Sequence, residues 1–160
     1  MINISSFSQE QSYSHRDTVS KSISFINFQN NKIPLDSFSK FSLIVICNNE
    51  QINEVEIDSL NIFSSKYKSI KILIVFKDSS LFLKNKNKIE RQYSRKIEPY
   101  FDYRKILNKT VFKSKSSRYF VLNQSLVILN QVQSIIELER FLDNIYFQQD
   151  NLIDKIKKRL

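Results

Sequence analysis

The sequence predicts an α/β fold: a central mixed β-sheet flanked by helices, with an N-terminal β-hairpin. Three features carry this. Two short apolar, β-branched runs, FSLIVIC at 41–47 and SIKILIVF at 69–76, have the composition of strands buried on both faces. One amphipathic helical stretch separates them, which makes a βαβ unit with a right-handed parallel crossover. Further on, 118–123 and 126–129 form two strands around Gln124-Ser125, an antiparallel hairpin followed by a helix start.

The elements follow in order. Residues 1–20 are Ser- and Gln-rich with little periodicity and are expected to form a polar, loosely packed arm. Residues 22–28 alternate Ile and Phe with polar residues, Asn30-Asn31 makes a turn, and 32–35 returns, completing the hairpin. After the first buried run, Asn48 and Gln51 have capping-box spacing. The helix they open is expected over 49–67, with Ile52, Val55, Leu60, Ile62, Phe63 and Tyr67 on its inner side. A polar helix is expected over 80–96, ending before Pro99. The stretch 100–107 fits more than one element, and Tyr100, Phe101 and Tyr103 fit an edge strand with alternating faces. Ser134 and Glu137 form a second capping-box pair, after which Leu138, Phe141, Leu142 and Ile145 keep helical spacing. The domain is thus expected over 21–148, with a basic helical extension over 149–160.

Composition narrows the function. With 160 residues, 13 of them Phe and 7 Tyr, the chain is long and apolar enough for one domain with a full core. No apolar run approaches the roughly 18 residues a membrane span needs. Glycine is absent, which argues against a Gly-cradled phosphate loop or a dinucleotide fingerprint, and leaves tight turns to Asn, Asp and Ser. Cys47 is the one cysteine, so neither an intramolecular disulfide nor a zinc site of paired cysteines can form, and no cofactor is expected. A net charge of +9 raises the prospect of nucleic acid or an anionic surface as partner, but the lysines are scattered and only the final IKKRL is a basic cluster. The start, MINISSFSQEQSYSHRD, lacks a basic region followed by an apolar core, so the chain is expected to be cytosolic or a mature form whose leader is missing.

Particular segments resemble the TlpA-like thiol reductases and their peroxiredoxin (AhpC/TSA-like) cousins. These commonly carry an "nGk" turn followed by "ipLsdfkGKyvlv"; here the segment is FQNNKIPLDSFSKFSLIVI, with Asn31 at the usual Gly and Pro34, Leu35, Phe38 and Lys40 in register. The family's "FWASWCxPCRkEiPxL" is matched without gaps by VICNNEQINEVEIDSL, with Glu56, Ile57 and Leu60 on "EiPxL". In that register the two catalytic cysteines fall on Glu50 and Asn53, and the Trp on Asn49. The family's "PttFliDkdgkiv" is similar to SRYFVLNQSLVIL, with Phe120 and Asn123 aligned and the cis-proline replaced by Ser117. The resemblance spans about 22–148. It implies a thioredoxin-like fold, a bacterial source, a location in the cell envelope if a leader is missing, and a redox motif that has been lost.

That loss decides the chemistry the resemblance implies. Thiol–disulfide exchange needs a low-pKa thiolate to attack and a second thiol to resolve. A thiol at a helix N-terminus is activated by the dipole there; Glu50 is favourable at that place but cannot do sulfur chemistry. A trans bond is expected at Ser117, because a cis bond before a non-proline residue costs about 2.5–4 kcal/mol. The expectation is a redox-inactive, protein- or peptide-binding module that keeps the family's groove. Two alternatives stand beside it. Cys47, three residues before Glu50, is either a thiol peroxidase nucleophile working with an external thiol or a small buried hydrophobe closing the strand. The basic charge makes a nucleic-acid or anionic-surface binder the third reading, with Tyr100, Phe101 and Tyr103 near Arg104 and Lys105 as its best aromatic–basic patch. Glu50 with Glu54 has the spacing of paired carboxylates but fits a solvated first helical turn, and His15 stands alone in the polar arm.

Overall fold

The computed structural model describes residues 18–20, 22–49, 53–92, 97–108 and 118–158. The expected elements appear in the expected order, with one strand added. They are β1 (Ser24–Ile26), β2 (Lys32–Pro34), β3 (Leu43–Asn49), α1 (Glu54–Lys66), β4 (Ile70–Phe76), α2 (Ser79–Gln92), β5 (Ile97–Phe101), β6 (Tyr119–Asn123), β7 (Ile128–Val132) and α3 (Ile135–Lys157). Short 3-10 turns follow β2 and β5, at Leu35–Phe38 and Ile106–Asn108.

One seven-stranded sheet runs in the order β2-β1-β5-β4-β3-β6-β7. Strands β3, β4 and β5 are parallel; β1, β2, β6 and β7 pair antiparallel with their neighbours. The two apolar runs are its centre, and every residue of β4 is buried. That is the outcome their unbroken β-branched composition predicts, since a strand covered on both faces has no polar side. One face is packed by Leu60 and Phe63 of α1, Phe82 of α2, and Leu138 and Leu142 of α3. The other is closed by Leu35 and Phe38 of the first 3-10 turn, Leu107 of the second, and Val19, Ile23 and Leu126.

Several local expectations change. β5 is an interior strand between β1 and β4, not an edge, and it starts at Ile97. Helix α1 is capped by Asn53, whose Oδ1 accepts the Glu56 N–H at 2.8 Å. Asn48 and Asn49 remain strand, paired with Val75 and Phe76, so Asn48 is no helix cap. Of the expected inner residues Leu60, Phe63 and Tyr67 are buried, whereas Val55 and Ile62 are 75% and 60% exposed and Glu56, Ile57 and Ser64 complete the inner face. Ile52 lies outside the described residues. The expected loose arm is docked at its end, where Thr18 bridges Val127 and Val19 is buried. Helix α3 opens on the full Ser134–Glu137 capping box and continues without a break into the expected extension.

With no glycine available, four of the described residues take left-handed backbone: Asn30 (φ 63°), Ser69 (56°), Lys105 (53°) and Leu126 (60°). Asn and Ser were the expected types; Lys105 and Leu126 were not, and each bears the Cβ clash of that region. Leu126 recovers the cost by burial, whereas Lys105 is exposed. Lys105→Gly is therefore expected to stabilise the fold by about 0.5–1 kcal/mol, the relief of strain exceeding the added freedom of the unfolded chain. Thermal unfolding of the two proteins checks the sign.

A charge interrupts the second apolar run. Lys71 is 4% exposed, yet its ammonium donates to Glu98 on β5 and lies 5.7 Å and 5.8 Å from the ring centres of Phe38 and Phe41. Tyr100 donates to the other oxygen of Glu98. The pair's energetic role is asymmetric: a buried lysine is costly alone, while an apolar replacement costs little. Glu98→Ala is expected to destabilise by about 2 kcal/mol, reduced from the fully buried value because Glu98 is half exposed. Lys71→Met should be within about 1 kcal/mol of neutral and should remove most of the Glu98→Ala penalty. Urea unfolding of the three variants measures this, and additive effects would contradict it.

Candidate functional site

The C-terminal end of β3 is where a sheet of this topology meets the start of its first long helix. Three elements converge there. β3 delivers Cys47 and Asn48, α1 delivers Asn53 and Glu56, and the start of β6 delivers Arg118 and Tyr119. Cys47 and Tyr119 are cross-strand partners on the face that α1 covers. The backbone of Arg118 ties the strands on either side: its C=O accepts the Asn48 N–H at 2.8 Å, and its N–H donates to Val132 O at 3.0 Å.

The centre of this site is the Glu56 carboxylate. It sits in the first turn of α1, where a negative charge faces the positive end of the helix dipole. It is buried, with side-chain exposure of 5%. Arg118 Nη2 donates to its Oε2 at 2.8 Å, and the Tyr119 phenol donates to its Oε1. Both oxygens are thus engaged, the condition for holding a carboxylate out of water. The Arg118 side chain reaches outward and is 37% exposed. Asn48 Oδ1 is shielded from solvent and has no donor among the described residues.

Cys47 lies beneath this network and is 1% exposed. Burial pushes its thiol well above the ordinary range; the Glu56 charge adds to the shift and Arg118 partly offsets it. The Tyr119 phenol is raised as well, by burial first and then by Cys47 and Glu56. This environment is the opposite of what activates a cysteine, which needs exposure and positive potential. Cys47 is a buried member of the core layer under α1.

Asn53 serves as the α1 cap. Glu50, Ser117 and His15 lie outside the described residues, and so does one half of the Glu50–Glu54 pair. The aromatic–basic patch does not form a platform. Tyr100 packs into one core layer against Phe25 and Phe38, while Phe101 stacks on Phe82 in the other. Tyr103 and Arg104 do lie together, with the guanidinium 5.3 Å from the ring centre. Arg118 and Tyr119 escaped sequence reasoning, because nothing local links them to a carboxylate 62 positions earlier. The only signal was Glu56 itself, a charge on the inner face of a helix. Among the described residues no helix is long and apolar enough to cross a membrane.

No protein-family model matches the sequence. No curated protein matches it either. Solved structures do match. A thioredoxin-like protein from Bacteroides caccae ATCC 43185 superposes with a TM-score of 0.55 at 13% identity, over 75% of this chain and 46% of that one, so this chain spans less than half its length. A thioredoxin-like protein from Aeropyrum pernix gives 0.59 at 13% identity, over 78% of this chain and 89% of that one. Reduced Prx3 from Vibrio vulnificus gives 0.57 at 11% identity, over 76% and 86%. At these identities the likeness is one of fold, and the fold is thioredoxin-like.

Proposed function

We propose that this thioredoxin-like domain is redox-inactive, a degenerate relative of the TlpA-like proteins, and acts by binding an extended protein or peptide segment beside the start of α1 and Arg118. The observation that carries this reading is the setting of Cys47, the one thiol in the sequence, which is buried under α1 with its pKa raised. Exchange chemistry requires an accessible thiolate and a resolving thiol, and the chain offers neither. The TlpA-like register supports it too, since it sets Glu50 and Asn53 on the two cysteine positions, and Asn53 works as a helix cap. For binding, the Arg118 side chain, 37% exposed while it holds Glu56, stands at the end of the sheet beside the start of α1, where an extended segment can pass.

Two measurements test this together. Disulfide reduction and peroxide consumption with an external thiol should proceed at buffer rates for the wild type and for Cys47→Ala alike. Random phage-displayed peptides selected on the whole chain should bind both proteins equally and protect amides near Asn48, Asn53 and Arg118 from hydrogen exchange. Turnover that disappears in Cys47→Ala would overturn the redox-inactive half. Failure to select peptides, or protection elsewhere, would overturn the binding half.

A further inference from the structure

Helix α3 is longer than the body it packs on. Its inner stripe, Leu138, Phe141, Leu142, Ile145 and Tyr146, lies in the core layer it shares with α1. Tyr67 donates to Asp143 at 2.7 Å, Lys66 pairs with Asp143 at 2.7 Å, and Tyr67 stacks on Tyr146, which fastens this part of α3 to the end of α1. From Phe147 through Lys158 every residue is exposed. At 1.5 Å per residue the helix projects by about 15 Å.

The apolar stripe continues along the projection. Steps of seven residues carry Ile145 to Leu152, Tyr146 to Ile153, and Leu142 through Gln149 to Ile156. Such steps keep nearly the same face, so these side chains continue the line of the core-facing ones. Leu152, Ile153 and Ile156 are nevertheless 60%, 48% and 51% exposed.

We infer that this face is covered by the same face of a second copy of the chain, the two α3 ends packing antiparallel about a two-fold axis near Ile153 and Asp154. Three arguments select that occupant. A parallel pair is sterically closed, because residues 135–148 of the second helix would run into the sheet that already fills this face. An antiparallel pair keeps the two sheets at opposite ends of the contact. Its charges also match. Asp150 and Lys157 stand seven residues apart on one flank of the stripe, and an antiparallel two-fold brings like flanks together. Asp150 of each copy then faces Lys157 of the other, while Leu152 meets Ile156 across the axis. Finally, a helix made for an anionic membrane carries a uniformly basic polar face, whereas Asp150 and Asp154 are interspersed here with Lys155, Lys157 and Lys158. The contact is short of a standard interface, so a weak, reversible dimer follows.

Sedimentation velocity of the whole chain from about 5 to 500 μM reads this directly. A monomer–dimer equilibrium is expected, weakened at least about tenfold by Ile156→Asp, whose exposure leaves thermal unfolding unchanged. Asp150→Lys and Lys157→Asp should each weaken the dimer, and the double swap should restore it. A monomer across the whole range, with or without binding to vesicles containing phosphatidylserine, would overturn the inference. So would a dimer indifferent to Ile156→Asp and to the charge swap.

Discussion

In the folded protein, Cys47 is expected to react with a thiol-specific reagent at least about a thousandfold more slowly than in the unfolded chain. The side chain is 1% exposed, so the reagent reaches it only through opening of the structure, and the rate falls by the fraction of time the structure is open. The pH dependence carries a second, independent signature. Burial holds the folded thiol above its unfolded value, which is roughly 8.5. Stability from the neutral buried thiol is therefore fully present below that pH. It is lost as pH rises further, because the unfolded chain then releases a proton that the folded protein retains. The loss approaches about 1.4 kcal/mol per pH unit at most. Cys47→Ala should remove this slope while costing some packing at neutral pH. Guanidinium unfolding at pH 7 and at pH 9.5 measures both. Rapid labelling of the folded protein below pH 7 would instead reveal an activated thiolate and return Cys47 to catalysis.

Arg118→Ala is expected to destabilise the protein by about 3 kcal/mol, because among the described residues it leaves the buried Glu56 carboxylate with the Tyr119 hydroxyl alone. The figure is set at the low end for buried pairs, since water reaches the exposed side of Arg118. In a chain of this length that corresponds to a Tm lower by about 6–12 °C. Tyr119→Phe should cost less, about 1–2 kcal/mol, as one hydrogen bond to a charged group is lost while the ring stays in place. The decisive comparison is a double-mutant cycle. With Glu56→Leu present, Arg118→Ala should lose most of its effect, because no buried charge remains to be abandoned. Additive changes would mean that the two side chains are independent and that the cluster does not organise this end of the sheet.

The same cluster marks where local reading stops. The two central strands were legible because each is an unbroken β-branched run, and the start of α3 because a Ser and a Glu at the right spacing satisfy each other's backbone. β5 was not, since Glu98 and Pro99 are poor strand residues in isolation. In place, Glu98 meets Lys71. The Asp102 N–H bonds back to Phe76 on β4, so by alternation the nitrogen of Pro99 points toward β1, whose one register pair with β5 is Ile26 with Phe101. Its missing donor therefore falls where the ladder is all but absent. The start of α1 was misplaced for a related reason. Asn48-Gln51 and Asn53-Glu56 carry similar signals, and only the pairing of Asn48 and Asn49 with β4 decides between them. The sequence by itself thus determined a mixed sheet of parallel and antiparallel strands, the order of its helices and the want of a second thiol, because these are matters of composition and short-range period. Tertiary structure alone decided that the buried face of α1 takes in Glu56 and leaves out Val55 and Ile62, that Cys47 is sealed, and that Glu56 finds Arg118 and Tyr119. Those outcomes depend on contacts between residues far apart in the chain, where the cost of burying a charge is settled by what the fold brings beside it.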